Sequence, residues 1–248
     1  EVRRNWYAQR EADDGCTAAA AQLVASKNFT AHDVWEKARL ATETGRARAA
    51  RDAVQLIAPE AVGMVAELHA SPSKFLSDKY LAIRSVRKEL ITLALIRLAT
   101  SDIDAAVAQL SNKWALQLTA EERNWVWGLI GKQVAMRLGS LPASDAMYYF
   151  SKVSRDTDLT DDMLAWKARA ALRAGTQPQW AEVHKAINAM SEEARKDPTW
   201  IYWKARALMS NEAQRADGLA LLQSIASVRG FYEQLALEEL GQKITVPP

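Results

Sequence analysis

The chain has one cysteine, three histidines, ten glycines and seven prolines in 248 residues, and each scarcity removes a class of protein. A single thiol, Cys16, forms no internal disulfide and supplies neither a zinc cluster nor a redox pair. It reads as a small buried hydrophobe, with pairing to a cysteine outside this segment as the alternative. The histidines, His32, His69 and His184, lie far apart, and none has the i, i+4 or cysteine-flanked spacing of a metal site. They read as surface or packing residues. Gly-rich phosphate loop, nucleophile elbow and Cys/His nucleophile motif are all absent, so neither cofactor nor metal is expected. Clusters of Val, Ile and Thr between Gly-rich turns are missing as well, which argues against a sheet.

No apolar run approaches the roughly 20 residues of a membrane span, and the longest, "LITLALIRLA", is broken by Arg97. A soluble chain is expected. Charge of one sign is lacking too: 32 basic against 30 acidic residues leave a formal charge of +2, interspersed along the chain. No nucleic acid and no anionic lipid surface is therefore expected as a partner. The opening "EVRRNWYAQRE" has no initiator Met and no apolar signal core, so the chain reads as a mature or truncated product.

What is present is Ala, Leu, Arg, Glu, Lys and Gln, the residues that lose least on entering a helix, and this predicts an all-α protein. Five segments share one plan: "EKARLATETG" (36–45), "LALIRLATSD" (93–102), "KQVAMRLGSL" (132–141), "WKARAALRAG" (166–175) and "WKARALMSNE" (203–212). Arg39, Arg97, Arg137, Arg169 and Arg206 mark the register, at spacings of 58, 40, 32 and 37. The last three fall near the roughly 34 to 47 residues of helix-pair repeats, and the first leaves room for an extra helix or two. After each marker comes a second amphipathic stretch: "RARAARDAVQLI", "DIDAAVAQLS", "ASDAMYYFSKV", "QPQWAEVHKAINAM" and "QRADGLALLQSI". In the last of these Ala216, Leu219, Ala220, Leu222 and Ile225 form one apolar stripe. One helix cannot hide such a stripe alone; stacked pairs hide it continuously, which is the logic of an α-solenoid.

The punctuation agrees. Ser71-Pro72 and Asp197-Pro198 place a capping residue before a proline suited to a first helical turn. Thr119 with Glu122 predicts a capping box. Gly45, Gly139 and Gly175 fall just past helix ends, where a left-handed residue is needed, whereas Gly128 and Gly131 fall inside a helix and predict close helix–helix approach. About fourteen helices and no internal linker are expected.

Three residue groups invite a chemical reading, and in each a structural one outweighs it. Glu121-Glu122, Asp161-Asp162 and Glu192-Glu193 are acid/base candidates, but each stands near a predicted helix start, where carboxylates oppose the macrodipole. The two facing carboxylates that glycosidases use could also be assembled from distant helices, and that arrangement stays open at this level. The nine tryptophans, among them Trp166 and Trp203 each three residues before a marker Arg, suit inter-helix packing better than a sugar-binding groove. The marker arginines suit the C-terminal ends of helices better than a row that binds carboxylates or phosphates.

The stretch "W-x-x-W-x-A-R-A-L", its following helix and "RGFYEQLALEELG" (229–241) resemble the end of the superhelical, U-shaped domain of periplasmic soluble lytic murein transglycosylases. The family-like turn is Arg229, Gly230, Phe231 and Tyr232. Upstream, "DGCTAAAAQLVASKNFTAHDVWEKARLATETG" and "KELITLALIRLATSDIDAAVAQL" are similar to earlier helices of that domain. The resemblance implies an all-α superhelix of tetratricopeptide-like helix pairs, curved or ring-forming, with residues 1–248 as one scaffold segment. It also implies a separate lysozyme-like domain that cleaves the bond between N-acetylmuramic acid and N-acetylglucosamine without water, leaving 1,6-anhydro ends. That domain's Glu-Ser, Gly-Leu-Met-Gln and Ala-Tyr-Asn stretches are not in this chain, so no catalytic residue carries over and the segment alone is expected to be inactive. Periplasmic location, contact with peptidoglycan strands through the catalytic domain and a cell-wall protein partner are implied in the same way. "ITVPP" reads as the start of a connector. The rival readings are a tetratricopeptide-like adaptor with a protein partner on its concave face and a glycan-binding module using exposed tryptophans.

Overall fold

In the computed structural model, which describes residues 2–9, 12–77, 81–138 and 142–245, the helix formers do form helices. Fifteen α-helices and no β-strand stand among the described residues, one helix more than expected. They divide between two compact units, 1–126 and 127–248, with the boundary inside the ninth helix.

The first unit holds α1 (Val2–Ala8), α2 (Asp14–Ala25), α3 (Ala31–Glu43), α4 (Ala47–Gln55), α5 (Val62–Ala70), α6 (Pro72–Ser77), α7 (Ser85–Ala99), α8 (Ile103–Gln109) and the start of α9 (Ala120–Met136). Here α3 packs on α4 and on α7, and α7 packs on α5, α6 and α8. The apolar run that is too short for a membrane becomes α7, buried nearly all round through Leu90, Ile91, Leu93, Leu95 and Ile96. A helix apolar on every face belongs in the middle of a stack. The 58-residue gap between the first two markers contains α5 and α6, the extra helices that the spacing requires.

The second unit continues with α10 (Ala143–Phe150), α11 (Asp161–Arg173), α12 (Trp180–Ala189), α13 (Pro198–Met209), α14 (Arg215–Ile225) and α15 (Phe231–Glu239). Each of α10 to α14 packs on its successor, and α13 also packs on α15, the nearest-neighbour pattern of a helix-pair stack. The markers sit on α3, α7 and α11, on α13, and just past the end of α9, and the five second stretches are α4, α8, α10, α12 and α14.

Local chemistry sets the ends. Thr30 and Asp33 form a capping box on α3, Thr119 and Glu122 form the expected one on α9, and Asp13, Asp102, Thr160 and Asp197 accept from first-turn amides of α2, α8, α11 and α13. Pro72 and Pro198 open α6 and α13. Gly45 closes α3 at φ 74°, its amide bonding the Thr42 carbonyl at 3.0 Å. Gly175 departs from expectation: its φ is not positive, because the chain leaves α11 at Ala174 and the Gln179 amide takes the Ala171 carbonyl at 2.9 Å instead. Gly139 and the closing "ITVPP" prolines, Pro247 and Pro248, lie outside the described residues.

Candidate functional site

The register arginines are the strongest sequence pattern, and the structure gives them different settings. Arg39 is 0% exposed. Its Nε and Nη2 donate to the two oxygens of Glu89 at 3.0 and 2.8 Å, both terminal nitrogens donate to Glu121, and its guanidinium carbon lies 4.9 Å from the centroid of Trp125. Burial alone would lower the Arg39 pKa, but the two carboxylates outweigh it and hold it above the ordinary guanidinium value. Burial raises the Glu89 carboxyl above its usual value, and the Arg39 charge opposes that rise. In the last turn of α7, Arg97 donates to the Thr100 hydroxyl at 3.1 Å. Arg137 follows the end of α9.

The other two markers repeat an Arg–aromatic theme. Arg206, in the last turn of α13, has its guanidinium 6.0 Å from the Trp180 ring and 5.9 Å from the Tyr202 ring, donates to the Tyr202 hydroxyl at 3.0 Å and is ion-paired with Glu239 of α15. Arg169, on α11, lies beside both Trp166 and Trp200, with its guanidinium 5.2 Å from the centroid of each ring. The dipole reading therefore fits Arg97 and Arg206, while Arg39 is an internal ion cluster.

The aromatic and acidic groups follow the structural readings. None of the nine tryptophans is exposed: six are buried, and Trp166, Trp180 and Trp203 are half-buried against neighbouring helices. The acidic pairs are engaged. Glu121 holds Arg39, Glu122 caps α9, Asp161 accepts from the amide and hydroxyl of Ser191 at 2.7 and 2.6 Å, Asp162 pairs with Lys132, and Glu192 pairs with Lys196 at 2.7 Å. His69 is half-buried and shares a hydrogen bond of 3.2 Å with Thr42; burial first, and then the charges of Arg97 and Arg51, lower its pKa to about 4. Among the described residues no three His, Cys, Asp or Glu side chains come together as a metal site. Cys16 corrects the sequence reading: it is exposed in the first turn of α2, because the buried side of that helix is carried by Ala20.

The family-like turn is a docking joint. Gly230 is the N-cap of α15 in extended backbone, and a Cβ there would stand 2.2 Å from the Glu233 carboxylate that folds back over the first turn. Tyr232 packs on Tyr202 and Trp203 of α13 at 5.5 and 6.4 Å, whereas Arg229 and Phe231 face solvent, Phe231 at 70% exposure.

Two buried lysines escaped the sequence reading. Lys37 is buried and donates to the carbonyls of Trp6 and Gln9, fastening α1 to α3. Lys167 is buried against Asp156 at 2.7 Å and Glu182 at 3.1 Å. Both stand two residues before a marker, in "EKAR" and "WKAR", and that shared Lys-Ala-Arg was the available signal. Two open clefts have no carboxylate in their lining: one of about 370 Å³ is lined by residues such as Leu98, Ala105, Gln109 and Lys113, and one of about 500 Å³ runs along Thr44 to Ala49.

This combination, stacked helix pairs with internal ion clusters, has neighbours among solved structures. The chain aligns over 98% of its length with an inactive mutant of the lytic transglycosylase Slt from Pseudomonas aeruginosa, at 21% identity and a TM-score of 0.56. It aligns over 98% with the 70-kDa soluble lytic transglycosylase of Escherichia coli, at 16% identity and a TM-score of 0.56. A complex of the 70-kDa soluble lytic transglycosylase with bulgecin A gives 99%, 16% and 0.55. In each case the chain spans 39% of the other protein, and the likeness is one of fold, with the helical region of those enzymes. No family model and no curated protein sequence matches the chain.

Proposed function

We propose that residues 1–248 act as one scaffold segment of a peptidoglycan lytic transglycosylase, positioning a separate catalytic domain and contributing no catalytic residue. The observation that carries this reading is the fold likeness to three lytic transglycosylase structures along at least 98% of this chain. The Arg229–Tyr232 turn that docks α15 on α13 supports it. On this reading the parent protein works in the periplasm and opens glycan strands to 1,6-anhydro ends. A carboxyl of the catalytic domain would serve as acid and then as base, which needs a tuned pKa. Here each acidic pair named above has a member that caps a helix, pairs with a cation or accepts from Ser191, which suits a scaffold.

The test is release of anhydro-muropeptides from purified peptidoglycan, followed by mass spectrometry. The chain alone is expected to release none and the parent protein to release them. Release by the chain would overturn the inactive-scaffold assignment. A parent that releases none and only repeats helix pairs would put a tetratricopeptide-like adaptor in its place.

A further inference from the structure

We propose that Arg169, beside Trp166 and Trp200, is a binding site for a carboxylate, supplied by the stem peptide of peptidoglycan. The second half of the proposal rests on the transglycosylase reading; the first rests on comparison of the marker arginines with one another. Arg39 and Arg206 show what a marker guanidinium beside an aromatic ring does with its open edge: it takes carboxylates, Glu89 and Glu121 in one case and Glu239 in the other. The third such site repeats the arrangement without the acid. Where α15 offers Glu239 to Arg206, α13 offers Trp200 to Arg169, and among the described residues no carboxylate reaches the Arg169 guanidinium.

Physical chemistry makes this vacancy useful. Two rings whose centroids each lie 5.2 Å from the guanidinium carbon restrict the side chain, so less rotamer freedom is left to lose on binding. Arg169 is exposed although Trp200 is buried, so its guanidinium is within reach of a ligand from solvent. A planar, charged fork of that kind matches a carboxylate with two parallel hydrogen bonds. Neutral sugar hydroxyls gain much less from it. The flanking rings face the arginine, so they are not open platforms for sugar stacking.

The experiment is calorimetric titration of the intact chain, wild type and with Arg169→Gln and Arg169→Lys. The probes are muramyl dipeptide, a carboxylate-free N-acetylglucosamine oligomer and a short poly-glutamate peptide. Circular dichroism confirms that each variant is folded. Muramyl dipeptide is expected to bind the wild type about tenfold or more tighter than the Gln variant, with Lys between them and the neutral oligomer silent. Equal binding by wild type and Arg169→Gln, or no binding of muramyl dipeptide, overturns the proposal. Binding of poly-glutamate alone also overturns it, and points to an acidic protein partner instead. The transglycosylase reading is judged separately by the parent's release of anhydro-muropeptides, so either can fail without the other.

Discussion

At the residue scale the chain is held by charges that its helical periodicity would place outside. Arg39 sits among three helices with two carboxylates and an indole, and its removal leaves Glu89 buried without the charge that opposes its desolvation. Arg39→Met is therefore expected to cost about 3–5 kcal/mol in urea unfolding, the range for breaking a buried pair from one side. A loss under about 1 kcal/mol would show that the cluster is solvated. His69 gives a pH-dependent counterpart. Its pKa falls from 6.5 to about 4 in the folded chain, so the unfolded chain takes up the proton first as pH drops. Stability is unaffected above about pH 6.5 by this group and is lost as pH falls from there toward about 4. Because His69 is only half-buried, the loss is screened. Unfolding midpoints measured from pH 7 to pH 4 are expected to fall less steeply in His69→Gln than in the wild type.

Elements meet closely where glycine permits it, and the same substitution has opposite signs at two helical positions. In α14 a Cβ on Gly218 would stand 2.5 Å from Met209 Cγ and 2.7 Å from the Ala205 carbonyl oxygen of α13, so the helices must part. In α5 a Cβ on Gly63 meets nothing within 4 Å. Gly218→Ala is expected to destabilise by about 1–2 kcal/mol, overpacking outweighing the helix-propensity gain, and Gly63→Ala to stabilise by about 0.5–1 kcal/mol. Thermal unfolding of the two variants separates them, and a stabilised Gly218→Ala would mean that α13 and α14 pack more loosely. Gly128 and Gly131 obey the same rule, with Leu159 Cδ2 at 2.4 Å and Phe150 at 3.0 Å, and these were legible because a glycine inside a helix needs a reason. The five helix pairs were legible for a similar cause, since register and capping are local. The ion clusters were not: Arg39 finds its acids 50 and 82 residues away, a distance over which periodicity carries no information. Exposed Cys16 and the absence of a positive φ at Gly175 escaped because residue type alone says neither which face is covered nor which amide reaches a helix end.

For the whole molecule the decisive feature is how much of its chemistry is directed inward. Tryptophans pack, the acidic pairs cap, pair or hydrogen-bond, the two clefts described above have no carboxylate in their lining, and the net charge of +2 gives no long-range field to gather a polyanion. On the scaffold reading proposed above, a segment of this kind would influence a reaction through geometry and docking, which implies a substrate-dependent effect. Short soluble glycans reach a catalytic domain by diffusion whatever it is mounted on, whereas intact sacculi must be presented to it. If the parent carries the catalytic domain that this reading requires, deleting residues 1–248 while keeping that domain folded is expected to leave turnover of short muropeptides within about twofold and to lower turnover of intact sacculi by about tenfold or more. The two rates, measured by chromatography of the anhydro products, form a ratio that cancels differences in enzyme concentration. An equal fall on both substrates would mean that the segment supports the catalytic domain's own stability, and no fall on either would remove the scaffold role. If Arg169 binds stem-peptide carboxylates, Arg169→Gln in the full-length parent shifts the ratio in the same direction by a smaller factor, because one contact is lost while the frame remains.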